Sequence, residues 1–333
     1  MNVLVVGGAG YIGSHMVKQL AVEGHHVWVL DNYSTGGRVA LPYGTLIKGD
    51  LANVEALDAL FTTHDFEAVL HFAAHSLVGE SVADPAKYYR NNVANTLNLL
   101  DAMVRHQTPH LIFSSTAAVF GNPGYTPIDE SHPKAPINPY GASKWMVERI
   151  LQDYAQAYGL NSIVLRYFNA CGADLEGELG EWHEPETHLI PLVLQAAVGQ
   201  RDSITVFGRD YPTPDGTCIR DYIHIEDLCA AHGLALGHLA SGTLRGACAF
   251  NLGNGSGFSV QEVIAAAQHV VGLDGYRIAV QEGERRSGDP AILVADASLA
   301  QKTLGWHSRY ADLTTIIEHA WAWEKRRCLL LQH

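Results

Sequence analysis

The heptapeptide Gly7-Gly8-Ala9-Gly10-Tyr11-Ile12-Gly13 follows the β-branched run Val3–Val6 and leads straight into an amphipathic stretch. It satisfies both the GxxGxxG and the GxGxxG spacing, in the strand-to-helix context that gives such a motif meaning. Glycines there permit a tight turn and close approach of a ligand to the backbone, and the free amides of the helix N-terminus favour a pyrophosphate. Asp31 lies 18 residues beyond Gly13, at the end of the next β-rich run. A carboxylate at that point accepts hydrogen bonds from ribose hydroxyls and repels a 2′-phosphate, which favours NAD over NADP. Asp50, in Gly49-Asp50-Leu51 after a third run, is placed to meet the adenine, and Phe72-Ala73-Ala74 after a fourth would line the dinucleotide. Small residues at strand ends also serve simply to permit turns, so these two are weaker signals than the glycine motif.

Further β-rich runs at His26–Leu30, Leu46–Lys48, Ala68–Phe72, His110–Ser114 and Ser162–Arg166 alternate with helical patterns. Such alternation predicts βαβ units and an α/β fold, a doubly wound parallel sheet of Rossmann type with function at the carboxyl ends of its strands. From about Gly172 the texture shifts to Gly/Glu-rich and Pro/Gly/Asp-rich loops with shorter elements. The expected division is an NAD-binding domain over 1–171, with a return segment at about 218–250, and a smaller C-terminal α/β substrate domain over 172–333.

The formal charge of −13, with no Lys/Arg run to offset it locally, disfavours a nucleic-acid partner. No stretch approaches the roughly 18 apolar residues of a membrane span, and Met1 leads into a strand pattern with no basic leader, so a cytoplasmic protein is expected. The five cysteines are scattered and never form CxxC, which reads as reduced packing residues. The Asn-x-Ser sequons at Asn32 and Asn254 carry no weight in such a setting. His183 to His188 has the spacing HExxxH, not HExxH, and Pro185 breaks the helix that motif needs, so no metal is expected.

Tyr140-Gly141-Ala142-Ser143-Lys144 opens a helix after Pro136 and Pro139, and the i,i+4 spacing puts phenol and ammonium on one face. An adjacent ammonium and a nicotinamide cation would favour phenolate and lower the phenol pKa, making Tyr140 a base for a sugar hydroxyl. The pair alone is equally consistent with a surface Tyr and Lys. Ser114-Ser115-Thr116, at the end of the fifth β-run, adds a hydroxyl beside the reacting oxygen.

These features together resemble the extended short-chain dehydrogenase/reductases. Gly-Tyr-Ile-Gly-Ser-His (10–15), Val-Gly-Glu-Ser-Val (78–82), Arg-Tyr-Phe-Asn (166–169), Phe-Gly-Arg-Asp-Tyr-Pro-Thr-Pro-Asp-Gly-Thr (207–217) and Arg-Asp-Tyr-Ile-His (220–224) are similar, within that group, to the UDP-glucose 4-epimerases. The segment from Phe207 to His224 is the most specific, because nucleotide binding in general does not require it. The resemblance implies Tyr140 as base, Lys144 orienting it and the nicotinamide ribose, and Thr116 assisting. It also implies NAD contacts from Gly7, Gly10, Tyr11, Ile12, Gly13, Asp31, Asn32, Asp50 and Leu51 at the adenosine end. The nicotinamide half would meet Phe72, Ala73, Ala74, Ser76, Asn92, Ser114, Tyr140, Lys144, Tyr167 and Phe168. For the UDP-sugar it implies Thr116, Tyr140, Asn169, His188, Leu189, Phe207, Arg220, Arg286, Asp289 and Leu293. Two arginines suit a diphosphate and an aromatic ring suits uracil, whereas Asn169 could instead be a strand-end cap and Arg286 could simply pair with Asp289.

Departures from the family pattern are Ser76, where some members carry Lys, His75 beside it, and His188, where some carry Asn. Ser-Thr-Ala-Ala-Val-Phe at the strand end lacks the Thr-Asp-Glu of sugar-nucleotide dehydratases, which counts against dehydration. The implied reaction interconverts UDP-galactose and UDP-glucose, by C4 oxidation to a 4-keto sugar and non-stereospecific hydride return from NADH. A side chain of intermediate size at Leu293 inclines the reading toward hexoses over N-acetylhexosamines. Rival readings are a 4-epimerase for UDP-N-acetylglucosamine, UDP-arabinose or UDP-glucuronate, and a catalytically silent NAD-binding scaffold. Helices around Tyr89–Arg105 and Tyr140–Tyr158 resemble those that pair in family homodimers.

Overall fold

The computed structural model describes residues 1–37, 41–286 and 289–331. Seven parallel strands form its main sheet: β1 (Asn2–Val6), β2 (His26–Asp31), β3 (Thr45–Lys48), β4 (Ala68–His71), β5 (His110–Thr116), β6 (Asn161–Tyr167) and β7 (Ala247–Leu252). Their spatial order is β7-β6-β5-β4-β1-β2-β3, so the winding reverses between β1 and β4 and opens a crevice beyond their carboxyl ends. The strands are Val-, Ile- and Leu-rich without alternation because helices cover both faces of the sheet. One face holds Val3, Val5, Leu70, Ile163 and Leu165 against the helices Tyr11–Val22 and Ile225–Ala240. The other buries Leu4, Val69, Leu111 and Phe113 under the helices Val54–Thr63, Asn95–Arg105 and Pro139–Tyr158.

A separate apolar core lies among the helices Leu189–Ala197, Val260–Leu273 and Leu313–Leu330, backed by the parallel strand pair Ile204–Phe207 and Val280–Gly283. After Gly172 the chain comes back to the first core twice. The helix Ile225–Ala240 and β7 make one return, and Ala297, Ala300, Leu304 and Trp306 make a second that the sequence patterning did not foresee. Trp306 is 1% exposed and its indole Nε1 donates to Asp227 O at 2.8 Å. The stretch expected as one helix over Tyr89–Arg105 is a π-helical turn, Tyr89–Ala94, continued by the α-helix Asn95–Arg105. The wider turn buries Asn92 to 3% exposure.

Candidate active site

The catalytic candidates meet where the helix Pro139–Tyr158 abuts the end of β5. Asn138 caps the helix by accepting from Gly141 N at 2.9 Å, and Pro139 occupies the first position, where no donor is needed. A Cβ at Gly141 would lie 2.4 Å from Ala118 O, so only glycine lets this first turn press on the segment after Thr116. The Thr116 hydroxyl accepts from Ala118 N at 3.1 Å, leaving its own proton for the phenol of Tyr140. Burial is the larger influence on that phenol and holds its pKa above the ordinary range, while the Thr116 hydrogen bond opposes the rise.

Lys144 is 3% exposed and its ammonium donates to Ser114 O at 2.7 Å, 4.8 Å from the centre of the Phe113 ring. Burial lowers its pKa to about 7. The ammonium is thus engaged by a backbone carbonyl, and burial discourages its charge. One turn further along, Glu148 receives the Arg166 guanidinium (Nη2 to Oε2 2.6 Å) and the Ser115 hydroxyl at 2.6 Å. Arg166 opens the Arg-Tyr-Phe-Asn motif, but Glu148 was not singled out from the sequence, although it continues the i,i+4 stripe of Tyr140 and Lys144. Ser114 and Tyr167 share a short hydroxyl–hydroxyl hydrogen bond, and burial raises the Tyr167 pKa. The Asn92 amide donates to His75 O and Ser143 Oγ, both at 3.0 Å, and accepts from His75 N at 2.9 Å. It thus ties the loop after β4 to the catalytic helix.

The glycine turn fits a dinucleotide. Gly7 has φ +79°, and a Cβ there would lie 2.5 Å from Ala73 N. At Gly13 a Cβ would lie 2.2 Å from Gly7 O, while at Gly10 it would meet nothing nearer than 3.4 Å, so the space over Gly10 is open. The helix beginning at Tyr11 has neither a side-chain cap nor an acid in its first turn, leaving its amides to an anion. A cleft lined by Ala9, Gly10, Tyr11, Thr35, Gly36 and Gly37 adjoins it. Asp31 accepts from Ala9 N at 2.9 Å and Tyr33 N at 2.7 Å, which fixes its carboxylate at the end of β2. Asn32 donates to Asp50 at 2.7 Å, joining the two residues expected at the adenosine end.

Several other expected residues use their side chains within the protein. The Tyr11 hydroxyl donates to Gly172 O at 2.8 Å, so its phenol braces the loop after the strand Asn169–Cys171. Leu51 is in the core, Ile12 packs against the opposite core, and Ser76 is exposed. Phe72 lies 5.0 Å from the His232 ring, and Ala74 is half-buried after β4.

Around the expected UDP site, Arg220 pairs with Asp289 at 2.9 Å, and Arg286 stacks over the Phe207 ring at 3.9 Å. The alternative pairing of Arg286 with Asp289 is thus not what forms. Asn169 donates its side-chain amide to Asp221 O at 2.9 Å. Leu293 lies opposite Arg220 and packs with Phe168 on Val119 and Phe120, immediately after Thr116. His188 occupies the N-cap position of the helix that begins with half-buried Leu189 without a side-chain cap bond, and its ring faces Glu181.

Residues 3–253 match the NAD dependent epimerase/dehydratase family. The UDP-glucose 4-epimerase of Halalkalibacterium halodurans is 51% identical, over 98% of this chain and 96% of its own. The crystal structure of the Brucella ovis UDP-glucose 4-epimerase in complex with NAD superposes with a TM-score of 0.92 at 51% identity, over 96% of this chain and 97% of that one. The Bifidobacterium longum UDP-glucose 4-epimerase, in complex with NAD+ and UDP, gives 0.92 at 38% identity, over 98% and 99% of the two chains. With matches of that extent, and a glycine turn shaped for a dinucleotide, the chain belongs to the NAD-dependent epimerase/dehydratase family, among its UDP-glucose 4-epimerases.

Proposed function

We propose that this chain interconverts UDP-galactose and UDP-glucose through a transient 4-keto sugar, with Tyr140 as the base. The observation that carries the assignment of roles is the convergence of Tyr140, Thr116 and Lys144 at the end of β5, next to a glycine turn open above Gly10. NAD is the cofactor, and when bound it accepts and returns the C4 hydride, so that none is consumed overall. Gly7, Gly10 and Gly13 would hold its pyrophosphate on the uncapped helix start, with Asp31 at the ribose.

Thr116 holds the phenol oxygen in place and donates to it, which favours the charge it acquires when it passes a proton to or from the sugar hydroxyl. Lys144, held by the Ser114 carbonyl, is read as orienting Tyr140 and the nicotinamide ribose. Ser114 joins Lys144, through its carbonyl, to Tyr167, through its hydroxyl. Arg220, Arg286 and Phe207 would anchor UDP, leaving the sugar free to present either face. The dinucleotide unit is read as 1–171 with the return at about 218–250, and the rest of 172–333 as the UDP-sugar unit. Leu293, against Phe120, favours hexoses over N-acetylhexosamines.

The helices Asn95–Arg105 and Pro139–Tyr158 are joined by Tyr154 Oη donating to Asp101 at 2.6 Å, and Met146, on the second of them, is 44% exposed. That paired surface supports a homodimer built on four helices. Among the described residues no helix is long and apolar enough to cross a membrane, and the five cysteines are free, which supports a cytoplasmic setting. The test of function is to supply UDP-galactose to the purified protein without added cofactor and follow UDP-glucose by chromatography. Its formation is expected; no product even with NAD added would overturn the assignment.

A further inference from the structure

Glu181, His183, Glu186 and His188 occupy the loop before the helix Leu189–Ala197, and one donor atom from each lies within 4.8 Å of all the others. The HExxxH spacing argued against a metal because Pro185 forbids the helix that would present two imidazoles. The loop brings them together without a helix and adds Glu181, which the spacing argument never included. The Glu181 and Glu186 side chains are only 5% and 4% exposed, so their charges require a buried counter-charge.

A neighbouring acidic trio shows what a satisfied case looks like. Asp174, Glu176 and Glu178 surround Lys18 Nζ at 2.8, 2.6 and 3.0 Å. Among the described residues no Lys or Arg forms such a pair with Glu181 or Glu186. Glu186 Oε1 accepts from Thr187 N at 2.7 Å and His188 N at 2.9 Å, and the other near neighbours of the two carboxylates are ring nitrogens. His183 Nδ1 lies 3.2 Å from Glu181 Oε1 and 3.6 Å from Glu186 Oε2, and His188 Nδ1 lies 3.4 Å from Glu186 Oε1. Yet Glu181 Oε1 and His183 Nδ1, both buried, make no hydrogen bond. Four donor atoms that converge this closely, two of them buried and without a well-aligned hydrogen bond, have the arrangement of ligands around a common centre. A tetrahedral ion with bonds of about 2.0–2.2 Å holds its ligands about 3.3–3.6 Å apart. The contact of His188 Nδ1 with Glu181 Oε1, at 2.5 Å, would have to open by roughly 1 Å on that tetrahedral geometry.

We propose that Glu181, His183, Glu186 and His188 bind one divalent transition-metal ion, of the zinc class. Two carboxylates and two neutral imidazoles carry a charge that such an ion cancels, and a set of two nitrogens and two oxygens suits zinc. The ion is structural. The His183 ring packs edge-on against Tyr11, 6.3 Å between centroids, and Trp182 and His183 line the same cleft as Ala9, Gly10 and Gly36. His188 is the cap residue of the helix Leu189–Ala197. Binding therefore locks the loop against the glycine turn on one side and against the start of that helix on the other.

The experiment is elemental analysis of the full chain, purified without a polyhistidine tag, followed by chelator stripping and titration with cobalt(II) and with zinc chloride. About one zinc per chain is expected, with a visible tetrahedral cobalt band after exchange and a rise in Tm of several degrees on reloading the stripped protein. His183→Ala and Glu181→Gln should each lose the ion and the cobalt band; because either could fold poorly, the titration of stripped wild type stands as a separate test. Wild-type protein that carries no ion and shows neither band nor Tm rise overturns the proposal and leaves the cluster as imidazolium–carboxylate pairs. A full equivalent of zinc retained by His183→Ala overturns the ligand set.

Discussion

Arg166 and Glu148 form a buried bidentate ion pair, with Nε 3.1 Å from both carboxylate oxygens and Nη2 2.6 Å from Oε2, that rivets the helix bearing Tyr140 to β6. Their side chains are 4% and 2% exposed. Removing one partner strands the other charge in the core. Glu148→Ala should cost about 3–5 kcal/mol in urea unfolding. The double replacement Glu148→Leu with Arg166→Met should lose less than Glu148→Ala alone, and a double variant that is worse would refute this account.

Tyr140→Phe keeps the ring and removes the proton-transfer group beside Thr116. Epimerisation should fall by roughly 10²–10⁴-fold, while UDP affinity measured by calorimetry stays unchanged. Undiminished turnover would assign the base elsewhere.

His15, His71 and His232 are 3%, 1% and 0% exposed, and burial lowers their pKa values to about 4, 3 and 4. Each uses one ring nitrogen in a hydrogen bond and leaves the other buried without a partner. Because the folded values lie below the ordinary 6.5, the unfolded chain binds more protons as acid is added. Stability from these groups is in place above about pH 6.5 and declines as pH falls toward 4 and 3. Urea midpoints measured between pH 7 and pH 4.5 should show the decline, and His232→Gln should make it shallower.

Leu293 packs with Phe168 on Val119 and Phe120 beside the catalytic strand end. Leu293→Gly should raise kcat/KM for UDP-N-acetylgalactosamine relative to UDP-galactose by about tenfold or more, on the scale of opening a pocket by several methylenes. An unchanged ratio would place the sugar away from this residue.

A Cβ at Gly7 would collide with Ala73 N, a backbone atom held by its own hydrogen bond to Val6 O at 3.1 Å. Gly7→Ala should therefore lower the urea midpoint, whereas Gly10→Ala, whose methyl projects into the space a dinucleotide would fill, should leave the midpoint in place and reduce retained NAD, measured by absorbance of the denatured supernatant. Undiminished NAD in Gly10→Ala would mean that the cofactor does not approach this turn as described.

What the sequence determined by itself was local or periodic. Continuous apolar runs set the buried parallel strands, the glycine spacing set the turn between β1 and the first helix, and the i,i+4 placement of Tyr140 and Lys144 followed from helical geometry. Pairings across the fold were decided only by tertiary structure. That Lys144 serves the Ser114 carbonyl, that Arg286 stacks on Phe207 while Arg220 takes Asp289, and that Tyr11 turns to Gly172 all depend on which elements pack together. Glu181 joins His183, Glu186 and His188 through the path of an irregular loop, which no periodicity encodes. Spacing along a chain fixes direction within a helix or strand; desolvation and long-range partners, which set charge and pKa, exist only once the chain is folded.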